Sequence, residues 1–220
     1  MFPNLKYFEE LQIKINGKLL DLSKNKLIPQ DIVDTQIDEY PWLYGALGKL
    51  PTDEMFIAEN PSFAGVKKAD IDTIDGKEPD IEAQWWGGHS DKAAVVFRTL
   101  LFELGLKTTP PDERNGWECY ITNVIKQADY TKNHKGKSAE YRYMQSEFWW
   151  DILKWEIDKV QPKIIYCLGG NAYDAVSHLV GMGKIIPCSY HKVWHYSAYR
   201  SKEEVINRMK SKIEEIRRMA

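Results

Sequence analysis

Residues 55–62 read Met-Phe-Ile-Ala-Glu-Asn-Pro-Ser, a short apolar run that ends abruptly in polar residues and a proline. Four apolar residues bounded by turn formers are typical of a buried β-strand. A carboxylate, an amide and a rigid turn, from Glu59, Asn60 and Pro61, therefore lie at the carboxyl end of this predicted strand. The fold depends on which other segments lie beside it.

Strands and helices alternate along the rest of the chain. A helix is predicted from Ser90 to a stop at Gly105, followed by strands at 119–122, 163–168 and 192–195. Further helices are predicted at 139–159, after the Gly-Gly pair that follows the 163–168 strand, and after the capping box Ser-x-x-Glu that begins at residue 201. This alternation predicts an α/β fold with three layers, α/β/α, around a mostly parallel four-stranded sheet.

The first 50 residues are predicted to form an N-terminal extension packed on a domain that spans residues 51–220. Within the extension, Asn-Gly at 16–17 favours a hairpin over residues 13–20, and residues 37–48 are predicted to form a short helix. In the long 139–159 helix, the predicted buried stripe has three- and four-residue spacing and consists of Tyr141, Met144, Phe148, Ile152 and Trp155.

Composition excludes several classes of protein. The 220 residues carry a net charge of -2, whereas a protein that coats DNA without regard to sequence is usually strongly basic. The three cysteines are widely spaced, which predicts reduced thiols and excludes an iron–sulfur cluster held by four thiolates. No histidine spacing indicates a metal site, so no metal or cofactor is expected. Neither a signal peptide nor an apolar run long enough for a membrane span is visible, and we expect a cytoplasmic monomer.

Polar residues follow all four predicted strands. The segments are Glu59-Asn60-Pro61-Ser62, Thr122-Asn123, Gly169-Gly170-Asn171 and His195-Tyr196-Ser197. Ligands of parallel α/β sheets bind at the carboxyl ends of the strands, so these segments predict the functional site. Three of them also have a structural explanation when taken alone: Asn60-Pro61 as a turn, Asn123 as a cap, and His195 as a core histidine.

The order and content of these segments resemble the uracil-DNA glycosylase superfamily. Residues 58–62, Ala-Glu-Asn-Pro-Ser, are similar to the Gly-x-Asn-Pro motif of its mismatch-specific and single-strand-selective branches, and residues 122–126, Thr-Asn-Val-Ile-Lys, fit its second motif. Leu-Gly-Gly-Asn-Ala at 168–172 fits the third. The last motif, usually His-Pro-Ser-Pro, is His-Tyr-Ser-Ala at 195–198, where both prolines are missing.

This resemblance implies roles for the strand-end residues. Asn60 would hold the attacking water, and His195 would donate a hydrogen bond to the oxygen of the departing base. Asn123 would pair with the edge of the base. Ser62, Phe63 and Trp86 are further base-binding candidates, with Phe63 and Trp86 as alternative stacking surfaces. An amide accepts a proton poorly, so Asn60 in place of the aspartate of the family's fastest enzymes implies a slower enzyme.

DNA contact needs cationic and polar residues near these motifs. Basic side chains cluster after the second motif, and those predicted to hold backbone phosphates are Lys126, Lys135 and Lys137. Ser197, Tyr199 and Arg200 lie in or after the last motif, where the family inserts residues into the duplex.

The resemblance thus implies a monofunctional DNA glycosylase of base-excision repair, which hydrolyses uracil or a related damaged base flipped out of DNA. No lysine of the four motifs is placed to attack the sugar, hence monofunctional. Two alternatives stay open: a non-catalytic nucleic-acid-binding member of the fold, and an enzyme that processes free nucleosides or nucleotides.

Overall fold

The computed structural model describes residues 5–24, 36–37, 46–61, 82, 85, 92–128, 138–186, 189–197 and 201–219. Its helices are α1 (Leu5–Lys24), α2 (Lys92–Glu103), α3 (Ala139–Val160), α4 (Gly170–Gly181) and α5 (Lys202–Met219). Its strands are β1 (Leu47–Gly48), β2 (Glu54–Ala58), β3 (Tyr120–Asn123), β4 (Ile164–Leu168) and β5 (Tyr190–Val193).

The strands form one sheet in the order β1-β3-β2-β4-β5. Strands β2 to β5 are parallel to one another, and β1 pairs with β3 in the antiparallel sense. The predicted α/β fold with a mostly parallel sheet is confirmed, but the described part of the chain contributes five strands to the sheet and not four. The added strand has only two residues, which is too short to produce a periodic pattern in the sequence.

Helices cover both faces of the sheet. Helix α2 packs against α5, and α3 packs against α4. The connection from β2 through α2 to β3 runs toward one edge of the sheet, and the connection from β3 through α3 to β4 runs toward the other edge. Because connections between parallel strands are right-handed, α2 and α3, each with the helix that packs on it, lie on opposite faces. Strands β2 and β4 lie at the centre, and every residue of β4 is buried.

The hairpin predicted over residues 13–20 is wrong, because this segment belongs to helix α1. The buried residues of α1 recur at three- and four-residue spacing and are Phe8, Leu11, Ile15, Leu19 and Leu22. Their packing outweighs the local preference of Asn-Gly for a turn, which amounts to only about 1 kcal/mol for glycine in a helix. The helix predicted at 37–48 is wrong at its end, where Leu47–Gly48 is a strand, and most of it lies outside the described residues.

The buried stripe predicted for α3 is wrong in part. Met144 is 57% exposed, whereas the buried face consists of Gln145, Ser146, Trp149, Ile152, Leu153, Glu156 and Val160. Three of these residues are polar, so an analysis based on apolar spacing places them on the solvent side. Among the described helices, none combines the length and apolarity that a membrane span requires.

Candidate active site at the carboxyl ends of the strands

The predicted strand-end segments lie along one edge of the sheet. Ala58 pairs with Asn123, and Leu168 pairs with Val193, so the four parallel strands end close to the same level. Backbone hydrogen bonds continue past the strands: the N–H groups of Val124 and Ile125 donate to the carbonyl oxygens of Ala58 and Glu59, both at 2.9 Å. The loop after β2 is therefore held against the loop after β3.

Asn60 lies directly after β2 and is half-buried. Its side-chain Nδ2 donates to the carbonyl oxygen of Pro61 at 2.9 Å. This bond orients the amide, since the nitrogen faces its own loop and Oδ1 is the atom able to accept a hydrogen bond from a water molecule.

The carboxylate of Glu59 is held on the side of helices α3 and α4. Asn171 Nδ2 donates to Glu59 Oε2 at 2.8 Å, and Arg142 Nε lies 3.9 Å from Glu59 Oε1. Strand alternation places the side chains of Glu59 and Asn60 on opposite faces, which fits these contacts.

His195 lies two residues beyond β5, and its ring is fixed by two neighbours. The backbone N–H of Ser197 donates to His195 Nδ1 at 3.2 Å, and Ser197 Oγ lies 2.7 Å from the same nitrogen. Because Nδ1 accepts a hydrogen bond, the proton of the neutral ring is on Nε2. Burial lowers the pKa of His195 to about 4, so the ring is neutral at physiological pH and Nε2–H is a donor.

Tyr196 occupies the position of the first missing proline and packs against the histidine. Its ring stacks on His195 with centroids 4.4 Å apart, and it also stacks on Phe97 of α2 at 4.9 Å. Gly169, with φ of 89°, also packs against the histidine: a Cβ placed there would lie 3.3 Å from His195 Cβ. The contact with Gly169 involves a residue outside the motif, and together the two contacts hold the imidazole in place.

Asn123 is the last residue of β3 and is fully buried. Its neighbour Thr122 points to the opposite face, where its Oγ1 donates to Glu156 Oε1 of α3 at 2.7 Å. A base that reaches Asn123 must therefore enter the protein interior at the strand ends.

Lys126 was predicted to hold phosphate, and this prediction is wrong because its side chain is fully buried. Its Nζ donates to Glu156 Oε2 and, at 2.6 Å, to Thr122 Oγ1. Burial lowers the pKa of Lys126, and the carboxylate of Glu156 opposes that shift. The ammonium group cannot reach a DNA backbone without breaking this ion pair.

The buried pair belongs to a larger network that the sequence analysis missed. Tyr120 Oη donates to Glu156 Oε1 at 2.9 Å, and Tyr7 Oη of α1 lies 2.7 Å from Tyr120 Oη. Glu156 of α3 and Tyr7 of α1 thus contact the polar side chains of β3. The only local signal is the four-residue spacing of Thr122 and Lys126, which does not identify a partner in α3.

Gln36 is a second buried residue that the sequence analysis missed. Its Nε2 donates to the carbonyl oxygen of Lys126 at 2.9 Å, and its Oε1 accepts from the N–H of Ala128 at 2.8 Å. The side chain of Gln36 thus makes the two hydrogen bonds to the backbone after the second motif that a neighbouring strand would make.

Several predicted site residues lie outside the described residues: Ser62, Phe63, Trp86, Lys135, Lys137, Tyr199 and Arg200. Of the predicted DNA contacts that the structure describes, Ser197 is exposed and bonded to His195, and its contact with DNA stays a prediction. Within the described part of the chain, no group of three or more histidine, cysteine or acidic side chains is arranged to hold a metal ion.

Comparison with known proteins gives one family. The family model described as the uracil DNA glycosylase superfamily matches residues 47–215, which is more than half of the chain. A search of curated proteins gives no match. The matched range includes all five strands and the four strand-end segments.

Proposed function

Because the chain belongs to the uracil DNA glycosylase superfamily, we propose that it is a monofunctional DNA glycosylase that hydrolyses the N-glycosidic bond of uracil or a related damaged base flipped out of DNA. Superfamily members are generally N-glycosylases that act on damaged bases, which supports the reaction class. The observation that carries the proposal for this chain is the neutral His195, whose Nδ1 accepts from Ser197 and whose Nε2 is therefore a donor at the strand ends.

In the proposed reaction, the oxygen of a water molecule attacks the sugar carbon and the bond from that carbon to the base nitrogen breaks. The base leaves with the electron pair, and negative charge spreads to its carbonyl oxygen. The attached water loses its surplus proton to solvent, and the departed base takes up a proton from solvent. A neutral histidine stabilises that oxygen by donating a hydrogen bond from its ring N–H, and the histidine keeps its proton. His195 fits this role because its ring is already oriented by Ser197, Tyr196 and Gly169.

Asn60 would orient the water through its amide oxygen, since its nitrogen is bonded to the Pro61 carbonyl. Asn123 would pair with the base edge from its buried position at the end of β3. A buried amide discriminates strongly between bases, because a mismatched edge leaves its polar atoms without hydrogen bonds. Asn60 is a weak base, so the proposed enzyme is slower than one with a carboxylate in this position.

The test is a turnover assay on labelled oligonucleotides that carry one uracil, single-stranded or opposite G or A, with alkali to cleave abasic sites. We expect His195→Ala to lower kcat by about 10²–10³-fold and Asn60→Ala by about 10²-fold. Asn60→Asp should raise the rate, because a carboxylate can also accept the proton of the water.

His178→Ala is the matched control. His178 lies in the last turn of α4 and pairs with Glu147 at 2.7 Å, away from the strand ends. Its substitution should leave turnover unchanged. Turnover that survives both Asn60→Ala and His195→Ala would refute the proposed roles, and absence of turnover by the parent protein on uracil and on other damaged bases would refute the proposed function.

A further inference from the structure

A groove of about 630 Å³ lies between β5 and α5, beside the candidate active site. Strand β5 is the last strand of the sheet, so among the described residues no further strand covers its outer edge. The side chains of the groove that matter here are Lys192, Trp194, Asn207, Arg208, Lys212 and Glu215.

The groove is predominantly cationic. Of the described residues that line it, Lys192, Arg208 and Lys212 are cationic and Glu215 is acidic. Arg208 pairs with Glu204 at 2.9 Å and Lys212 with Glu215 at 2.8 Å, but these side chains are between 33% and 50% exposed. Exposed pairs of this kind contribute little to stability, so an incoming phosphate can compete for both cations.

An aromatic platform lies at the end of the groove nearest the active site. The ring of Trp194 is 37% exposed, and the guanidinium carbon of Arg208 lies 4.4 Å from its centroid. Exposed aromatic rings combined with arginine are the usual means by which proteins stack the bases of single-stranded nucleic acid.

One lining residue of the groove, Trp194, is the chain neighbour of the candidate site residue His195. Trp194 directly precedes His195, and consecutive Cα atoms are about 3.8 Å apart. A nucleic-acid strand with one nucleotide at His195 would therefore have the Trp194 end of the groove close by.

We propose that this groove binds the single-stranded segment that flanks the target nucleotide, with a base stacked on Trp194 and phosphates held by Lys192, Arg208 and Lys212. The position of the target nucleotide rests on the proposed function, whereas the charge and the aromatic platform belong to the groove itself. The groove thus favours single-stranded substrates, since the bases of a duplex are stacked on each other and unavailable to Trp194.

The test measures the affinity of labelled single-stranded oligonucleotides by fluorescence anisotropy at several NaCl concentrations. One oligonucleotide carries a single uracil, and a second carries thymine in its place. For both, we expect Trp194→Ala to weaken binding about tenfold, with Trp194→Phe restoring most of the affinity. Lys212→Gln should reduce the slope of log Kd against log salt by about 0.7, which corresponds to one phosphate contact.

Lys154→Gln is the matched control, because Lys154 is also a helix-surface lysine with a nearby acidic partner, Asp158 at 2.5 Å. It should bind as the parent protein does. Affinity and salt slope that are unchanged in Trp194→Ala and Lys212→Gln would overturn the groove proposal even if uracil is excised. Weaker binding of the thymine oligonucleotide by Trp194→Ala and Lys212→Gln, with no excision of uracil by the parent protein, would support the groove proposal and contradict the proposed function.

An acidic peptide is the alternative occupant, because the groove is cationic and because a peptide strand could pair with the outer edge of β5. Saturable binding of a glutamate-rich peptide that Lys212→Gln abolishes, with oligonucleotide binding unchanged in that variant, would overturn the assignment to nucleic acid.

Discussion

Substitution of Lys126 by methionine should strongly destabilise the protein and leave the salt dependence of DNA binding unchanged. The lysine is fully buried and its ammonium group is hydrogen-bonded to Glu156 and Thr122. Methionine preserves most of the side-chain volume and removes the charge. Glu156 then keeps its hydrogen bonds from Tyr120 and Thr122 but has lost the positive charge beside its buried carboxylate.

The expected magnitude follows from this geometry. Removal of one partner from a buried ion pair costs about 3–5 kcal/mol, because the remaining charge is uncompensated in a medium of low dielectric. For a domain of this size, a loss of 1 kcal/mol lowers Tm by about 2–4 °C, so Tm should fall by roughly 6–20 °C. Two hydrogen bonds remain on Glu156, which favours the lower part of this range.

The assay is urea unfolding followed by circular dichroism, with Lys126→Met, Glu156→Gln and the double variant forming a thermodynamic cycle. The double variant should be more stable than the sum of the single losses predicts, because glutamine can accept from Thr122 and Tyr120 without a charge. Lys154→Met is the control: its pair with Asp158 is exposed, and its loss should cost less than about 1 kcal/mol.

A loss below about 1 kcal/mol for Lys126→Met, together with a reduced salt slope in oligonucleotide binding, would refute this reasoning. That combination would mean that the ammonium group is accessible to phosphate, as the sequence alone predicts.

Two further predictions concern His195. Between pH 6.5 and about 4 the unfolded chain binds a proton at this residue that the folded chain does not. The free energy of unfolding should therefore fall by up to about 3 kcal/mol as pH is lowered through this window. Urea midpoints measured against pH should show this loss in the parent protein and not in His195→Gln, and identical profiles would contradict it. Gly169→Ala should cost about 1–3 kcal/mol and lower the excision rate, since φ is 89° and the new Cβ meets His195 at 3.3 Å. Gly181→Ala, with nothing within 4 Å, should cause no such loss, and equal effects in both glycine variants would refute the packing argument.

Local pattern was sufficient for the main elements of the sheet. The strand at 54–58, the helix at 139–160 and the capping box at Ser201 lie close to where the sequence predicts them, and Ser201 Oγ accepts from the N–H of Glu204 at 3.2 Å. Sequence patterns predict these elements correctly because each pattern is formed by residues that are close together in the chain. The Asn-Gly turn signal fails at residues 13–20, where the helical spacing of the buried apolar residues of α1 determines a helix.

Part of the candidate site could be predicted in the same way. Parallel strands that end in polar residues must bring Asn60, Asn123 and His195 to one edge of the sheet, so their order along the chain sufficed for that placement. The orientation of His195 could not be predicted, because it depends on the contact of His195 with Gly169 and on the stacking of Tyr196 against Phe97, and both contacts join segments that are distant in sequence.

The sequence by itself therefore determined the alternation of strands and helices, the family, and the set of polar residues at the strand ends, since each of these depends on short stretches of chain. Only the tertiary structure decided which charges are accessible. Lys126 and Glu156 lie 30 residues apart, and the sequence predicts Lys126 to be an accessible phosphate contact, yet the two form a buried pair. Trp194 and Arg208 meet only because α5 packs along β5. The physical reason is that the cost of burying a charge, and its value to a ligand, depend on the groups packed against it in space.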